Sequence, residues 1–593
     1  MNTIQLGLSI LLPLDYSLRT QGNLMFKLLL CLVFSLYTLT SVAGTNSTEN
    51  STDTESPKEA TQAQQDYSVN TLYALLVAEM AGQRQLFDVA LGNYLLEAHR
   101  TQDPGVAARA TQIAQYIGAD QAALDAATLW VKLDKQNPLA QQAFSLELVK
   151  AARFSESVLH LQSALDLDNK LNVSFITVQG EKMSEGSREL WLQVLMPLLQ
   201  RYKTNNALLF NVANLHQQQQ NNQAALELIN KLIDDNDEFY PAWTLKARLH
   251  ATQGDIETAL SATESALEHF KNDKAFTILK ARLLVKKKDI AQARDVFSEL
   301  SRSYPRDGHI LLPLALTQLE LQEFDDAKAS LTKLLQLNQM RDEANYYLGR
   351  IAQFKKQPEQ ALQHYLAMQA GREFLSAQSG IVQIYLSQGK PQQALDHIRQ
   401  KRAQNTEHQQ AYFLMEVELL NRTGQFQASL EVLNDALKAY ADNTDLRYSR
   451  AMVSEKLGNI EQLEQDLTHI IDLNPKNATA LNALGYTLAD RTKRLDEALK
   501  LIQQARIISP TDPAIIDSLG WVYYRMGDLE KSLELLKKAY ANFPDAEVAA
   551  HLGEVLWAIG LKEEAIEIWK KGLEKQPKSQ ILQETLSRLE VQL

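Results

Sequence analysis

The stretches LNALGYTLAD (481–490), DSLGWVYYRMG (517–527) and HLGEVLWAIG (551–560) decide the fold. Each is followed by an amphipathic run that ends at a proline. Gly485, Gly520 and Gly553 recur at steps of 35 and 33 residues, and Pro475, Pro510, Pro544 and Pro577 keep nearly the same beat. A period near ~34 with small residues at fixed offsets predicts stacked helix pairs, because only small side chains let two helices cross closely.

Working outward, the register is firm from residue 206. Ala213, Ala247, Ala281, Ala315 and Gly349 fall at steps of 34, at the close-packing point of each first helix. Ala225, Ala259, Ala293, Ala327 and Ala361 keep the same step in the second helices. Gly254, Gly389, Gly424, Gly458, Gly527 and Gly560 fall in the turn between the helices of a pair, where a left-handed residue is easiest for glycine. Before residue 206 the pattern is degenerate. Helices are expected around Leu72–Ala81 and Phe87–His99, with Ala90, Ala126 and Ser157 at crossing points and Pro104 and Pro138 ending elements. Between Asp168 and Asn206 the beat stumbles: VSFITV (173–178) is β-branched and could be extended, and a divergent helix pair with a kinked entry is the reading favoured. Ile581, Leu582, Leu586 and Leu589 spell a final capping helix.

Composition supports a folded helical chain. Of 593 residues 45% are hydrophobic, and the net charge of −12 argues against a general nucleic-acid binder, which needs a basic face. The single cysteine, Cys31, rules out an intramolecular disulfide and a cysteine-cluster metal site. It lies in LLLCLVFSLYTL, which follows Met25-Phe26-Lys27 and precedes Ser41-Val42-Ala43: a charged start, an apolar run and a small-x-small cleavage site, as in a secretory signal. The expected organisation is an upstream extension over 1–24 with the natural start at Met25, and a signal peptide over 25–43. A polar tether (44–66), degenerate repeats (67–205), a regular array (206–577) and a cap (578–593) follow. An uncleaved segment acting as an anchor is the alternative for 25–43. A lipid-attached Cys31 fits poorly, since Leu29 and Leu30 precede it where a lipobox carries a small residue.

The wording of the repeats resembles the tetratricopeptide repeat (TPR). Its order of Leu-Gly, Tyr, small, apolar and Pro stands in Leu519-Gly520, Tyr523, Ser532, Leu536, Ala539 and Pro544. It recurs in Leu552-Gly553, Ala565, Trp569 and Pro577, with Leu556 for the Tyr and Gly572 for the second Ala. Trp243, Ala247, Gly254, Ala259 and Ala266 give a third copy. The resemblance implies an all-α, right-handed superhelical solenoid of about fourteen pairs. It also implies that each first helix lines the inner wall.

Projected onto that wall, Tyr486, Asp517, Trp521, Tyr524, Arg525, Glu554 and Trp557 gather in the last three pairs, and Arg248, Arg282 and Arg350 in the middle ones. Two readings stand for each group. The aromatics either meet a partner, as Trp and Tyr do at binding hot spots, or pack between neighbouring repeats. The arginines either face a carboxylate-bearing partner or pair with neighbouring acids.

No HExxH, phosphate loop or GxSxG elbow is present, and Asp234, Asp235, Asp237 and Glu238 lack the glycine a calcium loop requires, so catalysis, cofactor and metal are not expected. The C-terminal wording is similar to envelope TPR adaptors of gram-negative bacteria. That resemblance implies an exported, periplasmic or envelope-associated scaffold that partners a carboxyl-terminal processing protease and delivers cell-wall hydrolases to it. Membrane association would come only through the uncleaved segment or a partner. The alternative is a structural TPR subunit of a polysaccharide-export or pilus-assembly machine.

Overall fold

The computed structural model describes residues 67–593. The expected extension, signal peptide with Cys31, and tether therefore lie outside the described residues. The described chain is all helical, with 31 helices arranged as antiparallel pairs in a TPR solenoid. There are fifteen pairs and one last helix, one pair more than the repeat count expected. The chain divides into two compact units at Met340/Arg341, inside the stretch read as one regular array.

The first unit holds eight pairs, from Val69–Gln83 with Phe87–Thr101 to Gly308–Glu320 with Phe324–Gln336. The second holds seven pairs, from Arg341–Phe354 with Pro358–Leu366 to Ala546–Ala558 with Lys562–Lys575, and the closing helix Gln580–Arg588. Many first helices start at an Asn or Asp whose side chain takes up free backbone N–H groups: Asn137 accepts from Leu139 and Ala140, and Asp545 from Glu547 and Val548. Pro104 and Pro138, expected to end elements, instead occupy the first turn of the helices they open, where the missing N–H costs nothing.

The small-residue register holds. Ala213, Ala247, Ala281 and Ala315 are fully buried, as are their counterparts Ala225, Ala259, Ala293, Ala327 and Ala361. The crossing glycines Gly349, Gly485, Gly520 and Gly553 each face a bulky residue sixteen or seventeen places on. A Cβ on Gly520 would come within 2.7 Å of Leu536, and one on Gly553 would run into the Trp569 indole. These knobs fill the core between the two helices of a pair, each contributing roughly 1.5–3 kcal/mol of apolar burial. The six turn glycines are left-handed, for example Gly254 at φ +83° and Gly527 at +88°. Six other pairs place a non-glycine residue in the same conformation, among them Ala152 at +58° and Lys288 at +68°.

The stumble after Asp168 is a divergent pair, as favoured. VSFITV is not extended: it forms a turn and the six-residue helix Phe175–Gly180, followed by the 17-residue Glu185–Arg201 with Pro197 inside it. Gly180 crosses the helix Asn206–Gln218 so closely that a Cβ would strike Gln218 and Leu215. Arg188 locks the junction by donating to the carbonyls of Gly180 (3.1 Å), Met183 (3.0 Å) and Gln218 (2.7 Å). At the other end Leu582 is fully buried and Ile581, Leu586 and Leu589 partly so, which makes Gln580–Arg588 the cap.

Candidate functional site

Three consecutive first helices, Ala478–Arg491, Pro513–Met526 and Ala546–Ala558, bring the C-terminal candidates together. They do not form an open wall. Trp521, Asp517 and Glu554 are buried, and Tyr486, Tyr524 and Trp557 are half-buried. The centre of the cluster is His551, which is buried and which the sequence reading had passed over. Its Nδ1 lies 2.9 Å from Asp517 Oδ2, and its Nε2 lies 3.3 Å from the Tyr486 hydroxyl, two repeats away. Trp521 stacks on the imidazole, with ring centres 4.2 Å apart and planes at 24°. Trp521 Nε1 donates to Asp490 Oδ1 at 3.2 Å, and Arg525 donates to the Asp490 carbonyl at 2.7 Å.

Burial opposes a charged His551, but the charge and hydrogen bond of Asp517, with Glu547 and Asp490 beyond, outweigh it and hold its pKa above the ordinary histidine value. Burial also raises the Glu547 carboxyl, partly offset by the His551 charge. Asp517 Oδ1 is enclosed with no hydrogen-bond partner.

A second knot joins the last pair to the cap. Arg588 donates twice to Glu554, Nη1 to Oε1 at 2.8 Å and Nη2 to Oε2 at 2.5 Å, and the Tyr524 hydroxyl donates to Oε1 at 3.1 Å. Burial, reinforced by the Glu554 charge, pushes the Tyr524 phenol up to about 12. Trp557 leans on Trp569 at 5.7 Å, with the Lys562 ammonium 4.7 Å above its ring. Only Arg525 of the seven candidates is exposed. For this group the packing-between-repeats reading describes the geometry.

The arginines divide differently. Arg350 lies in the second unit, with its Nη1 on the Tyr346 hydroxyl at 3.0 Å, while Arg248 and Arg282 lie in the first. Arg248 Nη2 donates to Gln217 Oε1 at 2.8 Å and reaches Asn214 Oδ1 at 3.4 Å, so amides hold it. Arg282 is half-buried and makes no hydrogen bond or ion pair among the described residues, and its Nε is enclosed without an acceptor. Burial lowers its pKa from the ordinary arginine value, the expected response of a cation without a counter-charge.

Among the described residues no group of three or more His, Cys, Asp or Glu could hold a metal ion, and no helix is long and apolar enough to cross a membrane.

The tetratricopeptide-repeat family matches residues 210–275, 250–312, 312–374, 464–513 and 518–579. A TPR repeat-containing protein of Pseudomonas aeruginosa is 36% identical over 488 residues, 82% of each chain. The chain belongs to the tetratricopeptide-repeat proteins. Cellulose synthase operon protein C of Pseudomonas fluorescens is 22% identical over 278 residues, covering 44% of this TPR chain and 22% of that protein. The crystal structure of the APC/C hetero-tetramer Cut9–Hcn1 is 15% identical, covers 88% of this chain and 96% of its own, and superposes with a TM-score of 0.33. TPR folds generally mediate protein–protein contacts, and this chain is a protein-interaction scaffold; TPR repeat proteins are generally non-catalytic.

Proposed function

We propose that this scaffold works in the cell envelope without catalysis of its own, presenting client proteins to a carboxyl-terminal processing protease that acts on cell-wall hydrolases. The observation that carries a client-binding role is Arg282. A guanidinium half-sunk in the first-helix wall with no acid opposite it is a costly arrangement in isolation, and a carboxylate from a bound chain relieves it. Arg248, one repeat earlier and hydrogen-bonded to Gln217, extends the positive stretch in a protein whose net charge is −12. The envelope setting rests on the signal-like segment at 25–43, and the protease on the wording of the last three repeats.

Affinity capture from envelope extract tests the reading. Wild type should recover a processing protease and hydrolase clients. Arg248→Gln with Arg282→Gln should lose the clients at least about tenfold while the helical content and melting stay unchanged. Recovery of polysaccharide-synthase or export subunits would overturn the proposal in favour of a structural TPR subunit. The partial likeness to cellulose synthase operon protein C is what favours that second reading.

A further inference from the structure

The two ends of the array are finished differently. The closing helix Gln580–Arg588 turns Leu582 inward and leaves Gln583, Glu584 and Ser587 outside. The opening helix Val69–Gln83 does the reverse. It buries only Thr71, Ala78 and Ala81, while Val69, Leu72, Tyr73, Leu76 and Met80 stand in solvent, from 44% exposed at Met80 to 82% at Val69. These five positions form one stripe along the helix. A repeat array requires polar terminal faces to stay soluble, so a bare apolar stripe marks an interaction surface.

Sequence and charge restrict what covers it. The preceding stretch 45–66 contains no Leu, Ile, Val, Phe, Met, Trp or Tyr and has nothing apolar to lay there. The helix carries no basic residue, whereas helices that lie on lipid surfaces are rich in Lys and Arg on their polar face. Its one charge, Glu79, stands at the edge of the stripe and is engaged by Tyr94 and Arg109. A face whose one bordering charge is already paired with Arg109 can meet its own copy with little like-charge repulsion, even on a chain of net charge −12.

We propose that this stripe is the contact of a two-fold homodimer. The opening helices of two chains pack Leu72, Tyr73 and Leu76 against each other, continuing the helix-on-helix stacking that joins neighbouring pairs within each unit. From the side-chain exposures the contact covers on the order of 600 Å² per copy, about 1,200 Å² in total, the lower edge of the range for specific interfaces. Such a contact is symmetric, and each residue meets its equivalent or a near neighbour.

Sedimentation equilibrium of the full chain tests this. Wild type should be dimeric at about 10 µM, and Leu76→Glu should weaken association about a hundredfold by facing two buried charges. Leu159→Glu, at an equally exposed site away from the stripe, should leave dimerisation unchanged, and far-UV circular dichroism should match wild type for both. Tyr73→Cys in a Cys31→Ser background should give an intermolecular disulfide on mild oxidation. A wild type that stays monomeric at about 100 µM, or a Leu76→Glu chain that dimerises equally well, would overturn the proposal. The first result would assign the stripe to a different protein.

Discussion

Replacing Arg588 with Met asks whether Glu554 is an internal acid or a group held ready for a partner. The Glu554 side chain is only 4% exposed, and Arg588, 57% exposed, supplies both of its charged hydrogen bonds. Removing one member of a buried ion pair costs about 3–5 kcal/mol, because the other charge is left without compensation. Here water can enter on the open side of Arg588, and the Tyr524 hydroxyl keeps one bond to the carboxylate. The discounted cost is about 1–3 kcal/mol. It should be local, because each pair contacts only its neighbours and the cap unfolds before the array does. Amide hydrogen exchange is therefore the assay. Protection in Gln580–Arg588 and Lys562–Lys575 should fall by roughly 5- to 150-fold, while helices before Pro513 keep theirs. Adding Glu554→Gln to Arg588→Met should restore much of the loss, since a neutral amide needs no counter-charge. If Arg588→Met leaves the cap's protection within twofold of wild type, the ion pair contributes nothing, and Glu554 is free to serve a partner.

Three further outcomes rest on the same structure. The folded His551 pKa is raised, so its contribution is complete below about 6.5 and is lost as pH climbs through the raised value; His551→Gln should therefore lower the melting temperature more at pH 5.5 than at pH 9. His397 has the opposite sign: burial and Lys401 bring it down to about 4, so its neutral ring favours folding above about 6.5 and costs about 1–2 kcal/mol by pH 4, a sensitivity that His397→Gln should remove in a pH series of thermal melts. Replacing a left-handed non-glycine turn residue, Ala152→Gly or Lys288→Gly, should gain about 0.5–1 kcal/mol in urea unfolding, whereas glycine at Ala126, inside a helix, should lose a similar amount.

The pairing of helices was legible because it rests on volume. Ala247 and Gly553 must be small wherever two helices cross, and that requirement recurs at fixed spacing. The divergent pair was only half legible. Val173–Val178 has the composition of a strand, but tertiary packing of Ile176 and Trp191 into the first unit's core overrides local preference. The aromatics of the last repeats were placed on the first-helix face, and of the two readings left open for them the burial of Trp521 and half-burial of Tyr486, Tyr524 and Trp557 match packing between repeats. A single-repeat projection treats the first-helix wall as a boundary with solvent. Between consecutive repeats the same wall is also a seam, and large groups there reach sideways to the next helix.

That seam has a rule of its own, and it makes Arg282 stand apart. Partners across neighbouring first helices lie 30 to 35 residues apart, among them Tyr524 with Glu554, Asp490 with Trp521 and Arg525, Gln217 with Arg248, Asp517 with His551, and Glu554 with Arg588 at the cap. The same steps from Arg282 lead back to residues 247–252 and forward to residues 312–317. None of these carries an acid: the Thr252 and Thr317 hydroxyls are turned to the Leu249 and Leu314 carbonyls at 2.9 and 2.8 Å, and His250 lies beside Asp255. Among the C-terminal candidates polar groups answer one another across the seam, and a partner would have to break those bonds to enter. At Arg282 no such bond has to be broken, and a carboxylate supplied from outside gains the full charged contact. The same rule puts the means of abolishing the site inside the chain: Leu316→Glu, 34 residues on, would supply the missing acid in cis. It should stabilise Arg282 while displacing acidic clients as effectively as Arg282→Gln does, and client binding that survives Leu316→Glu would refute the assignment of Arg282 to the binding surface.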